Sequence, residues 1–205
     1  EPATLRNVFE ANAGIKLSKT KNLWLDAGVF ASHIGFESAI SKDCWTLTRS
    51  LMAENSPYYE TGAKIAYTSN NGKWFLSGLV LNGWQQIRRT DGNTRLALGT
   101  QITFKPTGKV TLNSSTYLGS RPDNSNRTRF FHNLYGIFQL SEKLALTADF
   151  DYGVDQRQTG SFTYDSWASW VAILKYQLSS KVGVAGRIEN YTDKKGLVIS
   201  TSIPA

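Results

Sequence analysis

Apolar and polar residues alternate one by one along most of this chain, and this period of two limits its fold more than any other feature. Between Asn7 and Ser18, one parity carries apolar side chains from Phe9 to Leu17, while the other carries polar residues and glycine. Successive side chains of a β-strand point to opposite faces of a sheet. The pattern therefore predicts strands with one apolar face and one polar face.

The same alternation recurs along the chain and predicts about ten or eleven antiparallel strands separated by residues that favour turns. The predicted strands are 7–18, 23–31, 60–67, 74–84, 95–105, 110–119, 130–140, 143–153, 165–178, 181–192 and 197–203. Asn71-Gly72 is typical of a tight hairpin turn between two of them. The face assignment of 74–84 stays open, because residues of both parities are apolar there.

Short and long connections alternate along the chain. The short turns lie near Lys21, Asn71, Thr107, Glu142 and Ser180, and the longer links lie near Cys44, Thr90, Asn124 and Thr159. An up-and-down antiparallel sheet sends alternate connections to opposite ends, so the short turns share one end and the long loops share the other. Outer-membrane barrels have this asymmetry, and strands of about ten residues suit a tilted membrane span.

Composition agrees with a transmembrane barrel formed by one domain over residues 1–205. Hydrophobic residues make up 40% of the chain and charged residues 19%, without an apolar run long enough for a membrane helix. A barrel strand needs an apolar residue only at every second position. We therefore predict an all-β, up-and-down antiparallel transmembrane β-barrel, and the sequence leaves open whether the strands close a complete barrel or form a segment of a larger one.

Aromatic residues cluster within a few positions of the short turns. Rings with one apolar and one polar side favour the headgroup level of a membrane, so these residues predict an aromatic belt. A soluble β-protein with ordinary core aromatics is the alternative. The predicted belt consists of Trp24, Tyr67, Trp74, Phe75, Phe104, Phe138 and Tyr176.

The longest connection, residues 32–59, lacks both sustained alternation and a long amphipathic helical stripe. It is too long for an ordinary connection, and its large apolar residues argue against disorder. We predict a structured loop that folds over or into one end of the barrel. Its charged residues Asp43, Arg49 and Glu54 are candidates for narrowing a pore.

The polar parity of the strands predicts the side chains that face a barrel lumen. Asp149 and Asp151 share this face, opposite an apolar parity from Leu144 to Tyr152. The two charge signs suit small polar solutes or ions, and any mild preference for anions depends on which basic residues line the pore. In a soluble sandwich the same residues would face bulk water. The candidate pore-lining residues are Glu10, Asn12, Lys16, Lys64, Gln101, Thr103, Lys105, Asp149, Asp151, Arg187 and Glu189.

Other function classes find little support in the sequence. The net charge is +7, but the basic residues are scattered rather than clustered as nucleic-acid binding requires. Cys44 is the single cysteine, and the two histidines, His33 and His132, lie outside metal and nucleophile motifs. No glycine-rich phosphate loop occurs. We therefore expect no enzyme activity, no cofactor, no metal and no nucleic-acid partner.

Several short segments resemble the outer-membrane β-barrel porin family of Gram-negative bacteria, and the similarity extends across nearly the whole chain. These segments are His33-Ile34-Gly35-Phe36-Glu37, Thr48-Arg49-Ser50-Leu51, Asn55-Ser56-Pro57-Tyr58-Tyr59-Glu60-Thr61-Gly62, Leu81-Asn82-Gly83-Trp84 and Phe131-His132-Asn133-Leu134-Tyr135. The resemblance implies a pore-forming barrel in the bacterial cell outer membrane, with passive transport and no catalytic residues. Since such proteins are usually longer, it also implies further strands on both sides of the segment.

Two functions follow as hypotheses. The first is a porin-like channel for passive diffusion of small polar solutes or ions. The second is a non-conducting barrel that serves as a structural or interaction component of an outer-membrane assembly. The expected partners are outer-membrane lipid, small polar solutes or ions, and either other outer-membrane proteins or further copies of this chain. A soluble β-sandwich or small-ligand barrel remains a third alternative.

Overall fold

Ten antiparallel strands form one sheet in which every strand pairs with its neighbours in the chain. The computed structural model describes residues 3–200 apart from 90, 91, 93, 94 and 124. The strands are β1 (Ala11–Lys16), β2 (Asn22–Ala31), β3 (Tyr59–Thr68), β4 (Trp74–Leu81), β5 (Ala97–Thr107), β6 (Val110–Ser120), β7 (Thr128–Gln139), β8 (Leu144–Gln156), β9 (Tyr164–Gln177) and β10 (Gly183–Thr192). This order confirms the predicted all-β, up-and-down antiparallel fold.

Among the described residues, helical structure is confined to short pieces. Two 3-10 helices cover Ala3–Asn7 and Ser41–Asp43, and one turn of α-helix, α1, covers Leu51–Glu54. Ser50 caps α1, because its side chain accepts a hydrogen bond from the backbone N–H of Ala53. Within the described residues, no helix has the length and apolar character to cross a membrane.

The sheet is open at β1 and β10, which pair with β2 and β9 but not with each other. The first strand, β1, is shorter than predicted. Its pairing starts at Ala11 opposite Val29, and β2 ends at Ala31. The residues before Ala11 therefore have no continuing partner strand. The predicted eleventh strand, 197–203, is wrong over 197–200, where 197–199 form bends and 200 has no regular structure, and 201–203 lie outside the described residues.

Connections differ at the two ends of the sheet, as predicted. The short turns are residues 17–21, 69–73, 108–109, 140–143 and 178–182, and the long connections are 32–58, 82–96, 121–127 and 157–163. The turn before β4 shows why short turns form: Gly72 adopts a φ of +67°, and its N–H donates to the Ser69 carbonyl at 2.8 Å. A residue without Cβ takes that left-handed conformation at little cost.

The two faces of the sheet differ in chemistry. On β8, Thr147, Asp149 and Asp151 point to the concave inner face and are buried, whereas Phe150 on the outer face is 47% exposed. The register also settles β4, where Ser77 faces inward beside Gln101. The outer face is therefore predominantly apolar, and the inner face carries most of the polar side chains.

The prediction of an aromatic belt is confirmed only in part. The outer face carries Tyr67, Trp74, Phe104, Phe138 and Tyr176, and the rings of Trp74 and Phe104 stack with centroids 4.1 Å apart. For Trp24 and Phe75 the prediction is wrong, because their register places them on the inner face, in line with Asp26 and Ser77. Closeness to a short turn does not determine which face a residue occupies.

An apolar cluster fills the inner face toward the long-connection end. Nine buried residues form it, with Tyr191, Leu197 and Val198 packed against it. Its members are Phe30, Ile34, Leu79, Leu81, Trp84, Ala97, Tyr117, Phe131 and Trp167. The interior is thus polar in its middle and apolar at one end.

Candidate functional site

The connection between β2 and β3, residues 32–58, folds back across the inner face, and we call it the inner loop. The Ser115 hydroxyl donates to the His33 carbonyl at 2.6 Å, and the Nε2–H of His33 donates to the Thr116 carbonyl at 2.9 Å. Gly99 leaves room for this ring, since a Cβ there would lie 2.7 Å from His33 Nε2. The start of the inner loop is therefore fixed against β5 and β6.

Burial determines the charge state of His33. Burial lowers the pKa of His33 from 6.5. The hydrogen bond to the Thr116 carbonyl raises this pKa and partly offsets the burial, whereas the positive charge of Lys64 lowers it further. The docked imidazole is consequently neutral at pH 7, with its proton on Nε2.

Asn133 links the inner loop to Asp149 and Asp151, the two aspartates that were predicted to line the pore. Its Nδ2 group donates to Asp149 Oδ1 and to Asp151 Oδ1, each at 2.7 Å, while its Oδ1 accepts from the Gly35 backbone N–H at 3.2 Å. Both aspartates are buried. The structure thus brings the predicted carboxylate pair together beneath the loop rather than on an open wall.

The helix α1 docks the far part of the inner loop onto β9 and β10. The Leu51 backbone N–H donates to Glu189 Oε2 at 2.7 Å, a contact between residues 138 positions apart. Met52 is buried against Val171 and Ile173 of β9. A polar contact and a small apolar contact therefore hold the same turn of helix.

Arg187 provides a second attachment on β10. Its guanidinium donates to Thr46 Oγ1 and Thr48 Oγ1, each at 3.1 Å, and also to the Thr48 carbonyl. It also forms an ion pair with Glu189 at 3.1 Å. Both predicted pore-lining residues of β10 thus lie on the inner face and hold the inner loop.

A buried ion pair lies inside the apolar cluster. Arg129 Nε and Nη2 donate to the two carboxylate oxygens of Asp155, both at 2.8 Å, and Arg121 Nε lies 3.2 Å from the same carboxylate. The guanidinium of Arg129 lies over the rings of Trp84 and Trp167, at 5.0 Å and 4.8 Å from their centroids. This end of the inner face is densely packed.

Of the predicted pore-lining residues in the middle strands, Lys64 forms an ion pair with Asp26 at 3.7 Å. Gln101 Nε2 and the Thr103 hydroxyl both donate to Asn113 Oδ1, at 3.1 Å and 2.7 Å. These side chains lie on the inner face in a polar network. Whether they line a pore remains a prediction.

The first strand carries two more candidates on its inner face. Asn12 donates to the Val29 carbonyl at 3.0 Å, and Lys16 is exposed near a short turn. Lys105 is exposed near another short turn, on the inner face of β5. Glu10, expected within a strand, lies just before β1 because the β1–β2 pairing starts only at Ala11.

The charged candidates of the inner loop have different surroundings. Asp43 is exposed and accepts a hydrogen bond from the neighbouring lysine at 2.8 Å, which raises the pKa of that lysine. Arg49 donates to two backbone carbonyls of the loop, lies 3.6 Å from Glu54 Oε1 and stacks over the Tyr58 ring. Burial raises the pKa of Tyr58, and the Glu54 charge adds to this effect. Arg49 therefore shapes the loop, whereas Asp43 faces solvent.

Cavities lined by described residues open on the inner side. One of about 530 Å³ lies between the residues before β1 and the inner loop, and its lining includes Val8, Phe9, Glu10, Phe36, Glu37, Arg49 and Tyr58. Another of about 430 Å³ lies at the short-turn end and is lined by Thr68, Gly72, Lys73, Phe75, Thr103, Lys105, Thr111, Tyr135 and Ile137. Across residues 3–200 outside the gaps, no cluster of three or more His, Cys, Asp or Glu could hold a metal ion.

Several inner-face residues were missed by the sequence analysis. Asp26 occupies the inner parity of β2, so strict parity would have found it. Arg129 and Asp155 occupy the inner parity of β7 and β8, but they lie outside the predicted strands 130–140 and 143–153, so parity reaches them only when those strands are extended. Lys73 was assigned to a turn, although the register of β4 continues through it. The alternation of side chains indicates which face a residue occupies, but the assignment of Lys73 to a turn left its face undetermined.

Similarity to known proteins comes from a family model. The model described as Putative beta-barrel porin-2, OmpL-like matches residues 1–205, the whole chain. No curated protein and no solved structure shows a significant match.

Proposed function

Because the chain belongs to the family described as Putative beta-barrel porin-2, OmpL-like, we propose that it is a channel of the bacterial outer membrane for passive diffusion of small polar solutes or ions. Lipid would surround its outer face, and solutes would pass along its inner face. Other outer-membrane proteins or further copies of the chain are its candidate protein partners.

The observation that supports this proposal is the distribution of side chains on the sheet, with apolar residues on the outer face and polar residues on the inner face. Large apolar residues of the outer face, such as Leu134 and Ile188, are exposed, while polar residues such as Asn113 and Asn133 are buried inside. Apolar groups exposed over a whole sheet face fit hydrocarbon rather than water. This pattern argues against a soluble sandwich.

The pore wall in this proposal consists of the inner-face residues that the inner loop leaves accessible. Asn12, Lys16 and Lys105 are exposed, and Lys64 is partly exposed. Asp149 and Asp151 instead lie beneath the loop. The inner loop itself narrows the path, with Arg49, Glu54 and Asp43 as its charged candidates.

Planar lipid bilayers test the proposal directly. The purified, folded protein is expected to insert and give stepwise conductance. If the protein inserts as a folded barrel that resists heat unfolding, and yet gives no stepwise conductance, this result would contradict the channel function.

The narrowing role of the inner loop has its own test. In the double variant Arg187→Ala/Glu189→Ala, the attachment to β10 is lost, so trypsin should cleave at Arg49, whose side chain is 19% exposed in the docked loop, and single-channel conductance should rise. Arg157→Ala, which removes an exposed pair with Asp165, is the matched control and should change neither. A cleavable loop with unchanged conductance would show that the loop does not narrow the path.

The apolar cluster favours a second candidate function, a non-conducting barrel within an outer-membrane assembly. Trp84, Tyr117, Phe131 and Trp167 are all buried, and a filled lumen end blocks passage unless it rearranges. Mild copurification from native membranes distinguishes the candidates. A stoichiometric partner together with absent conductance supports the second, and conductance by the isolated barrel contradicts it.

A further inference from the structure

We infer that the short-turn end of the inner face is a capture site for small anions, centred on Lys73 and Lys105. This inference rests on the proposed channel function and names the class of solute that the inner face favours. The two residues are direct neighbours, because the Lys105 backbone N–H donates to the Lys73 carbonyl at 2.7 Å. They continue the register of Trp74 opposite Phe104.

Both lysines line the same open space. The cavity of about 430 Å³ adjoins one of about 400 Å³, and the two share Gly72, Lys73, Lys105 and Thr111. Among the described residues that line either cavity, none is Asp or Glu. We call this space the basic vestibule.

The lysine pair lacks a protein counterion. Like charges placed directly opposite each other on a sheet repel, and within the described part of the chain neither Lys73 nor Lys105 forms an ion pair. A bound or passing anion relieves that repulsion. Thr68, Thr111 and Tyr135 add hydroxyl groups to the lining, and hydroxyl donors suit an anion that carries several oxygens.

Charges elsewhere on the inner face strengthen this preference. Three carboxylates have cationic partners: Asp26 has Lys64, Asp155 has Arg129 and Glu189 has Arg187. The aspartate pair of β8 lies beneath the inner loop.

At the short-turn end, the exposed inner-face charges without an ion-pair partner among the described residues are therefore positive, whereas Glu10 lines the cavity at the opposite end. Lys16 on the inner face of β1 has the same sign as the vestibule pair and is exposed. A cleft with one sign of charge concentrates ions of the opposite sign, and added salt screens this effect. Small anions such as chloride, carboxylates and inorganic phosphate are thus the favoured solutes.

Reversal potentials in a potassium chloride gradient across a bilayer test the preference. The parent protein should pass chloride more readily than potassium, and Lys73→Glu/Lys105→Glu should bring this permeability ratio below one. Lys194→Glu/Lys195→Glu makes the same charge change in two exposed lysines at the long-connection end, outside both cavity linings, and should keep the parent ratio. An equal fall in both variants, or no fall in the first, overturns the inference.

Binding of inorganic phosphate keeps the inference testable if the protein does not conduct. The folded protein in a non-ionic detergent, which carries no phosphate of its own, should broaden the ³¹P signal of added phosphate. Lys73→Gln/Lys105→Gln should abolish the broadening, and Lys143→Gln/Lys181→Gln should retain it. Absent conductance with vestibule-dependent phosphate binding contradicts only the channel function, whereas conductance without charge preference or phosphate binding contradicts only the capture site.

Discussion

Arg129 and Asp155 lie directly opposite each other on β7 and β8 and form a bidentate ion pair that is almost completely buried. Removing one member of a buried pair leaves a charge without compensation and typically costs about 3–5 kcal/mol. We expect Asp155→Ala to lower the free energy of unfolding by that amount. Urea unfolding in lipid vesicles, followed by tryptophan fluorescence, measures it.

The exposed pair of Arg157 and Asp165 is the control for this prediction. Its atoms also lie 2.8 Å apart, but the Arg157 side chain is 54% exposed. Solvent screening limits such a pair to about 1 kcal/mol or less, so Arg157→Ala should have little effect. Equal losses in the two variants would contradict the importance of burial.

His33 makes docking of the inner loop dependent on pH. In an undocked loop, His33 takes up a proton as the pH falls through about 6.5, whereas burial lowers the pKa of the docked ring. The undocked His33 therefore binds more protons in this window, so the contribution of His33 to docking weakens as the pH decreases. That contribution is fully present above about pH 7 and declines below about 6.5 until the lowered pKa is reached.

Trypsin cleavage at Arg49, which is shielded in the docked loop, measures this docking at a series of pH values after correction for the activity of trypsin itself. His33→Asn removes the titrating group and should flatten the pH dependence, even if docking is weaker throughout. A parallel slope in parent and variant would assign the pH effect to other groups.

Gly99 is required by the position of the His33 ring. A Cβ at residue 99 would lie 2.7 Å from His33 Nε2, and overpacking of this kind typically costs about 1–3 kcal/mol. Gly99→Ala should therefore speed trypsin cleavage of the inner loop about fivefold or more. Gly186→Ala is the matched control, because no atom lies within 4 Å of its added Cβ.

Substitution of Leu134 tests whether the outer face is in contact with lipid. It lies in the middle of β7 and is 52% exposed. Arginine at the midplane of a membrane barrel costs about 2–4 kcal/mol, against about 0–1 near the interface. Leu134→Arg should thus destabilise the folded protein in vesicles far more than Leu178→Arg, since Leu178 is 53% exposed in a short turn. Similar losses would argue against immersion of this face.

Alternation predicted most of the fold because a strand with two different environments must place its side chains by parity. It gave the strands and the faces of residues such as Asp149 and Lys64, while the alternating short and long connections gave the up-and-down order. The aromatic-belt prediction failed for Trp24 and Phe75, because it rested on nearness to short turns and not on parity. Alternation could not identify the face of Lys73, which precedes the regular strand but keeps its register.

The course of the inner loop could not be predicted from local sequence. Its attachments join residues far apart, such as His33 with Thr116 and Leu51 with Glu189, and they depend on wall residues brought near by strand pairing. Arg129 and Asp155 lie just beyond the predicted strands 130–140 and 143–153, and neither local segment indicates that the two side chains meet. Only the register of β7 and β8 reveals it.

Pairing between sequence neighbours also has a consequence for folding order. Each hairpin of the sheet closes a short segment of chain, except where the inner loop intervenes, so successive strands can add one after another at low loop-closure cost. The contact between Leu51 and Glu189 spans 138 positions and requires β10 to be in place. The inner loop should therefore dock after the last strand has joined the sheet, and it should be the first part to detach when the sheet unfolds.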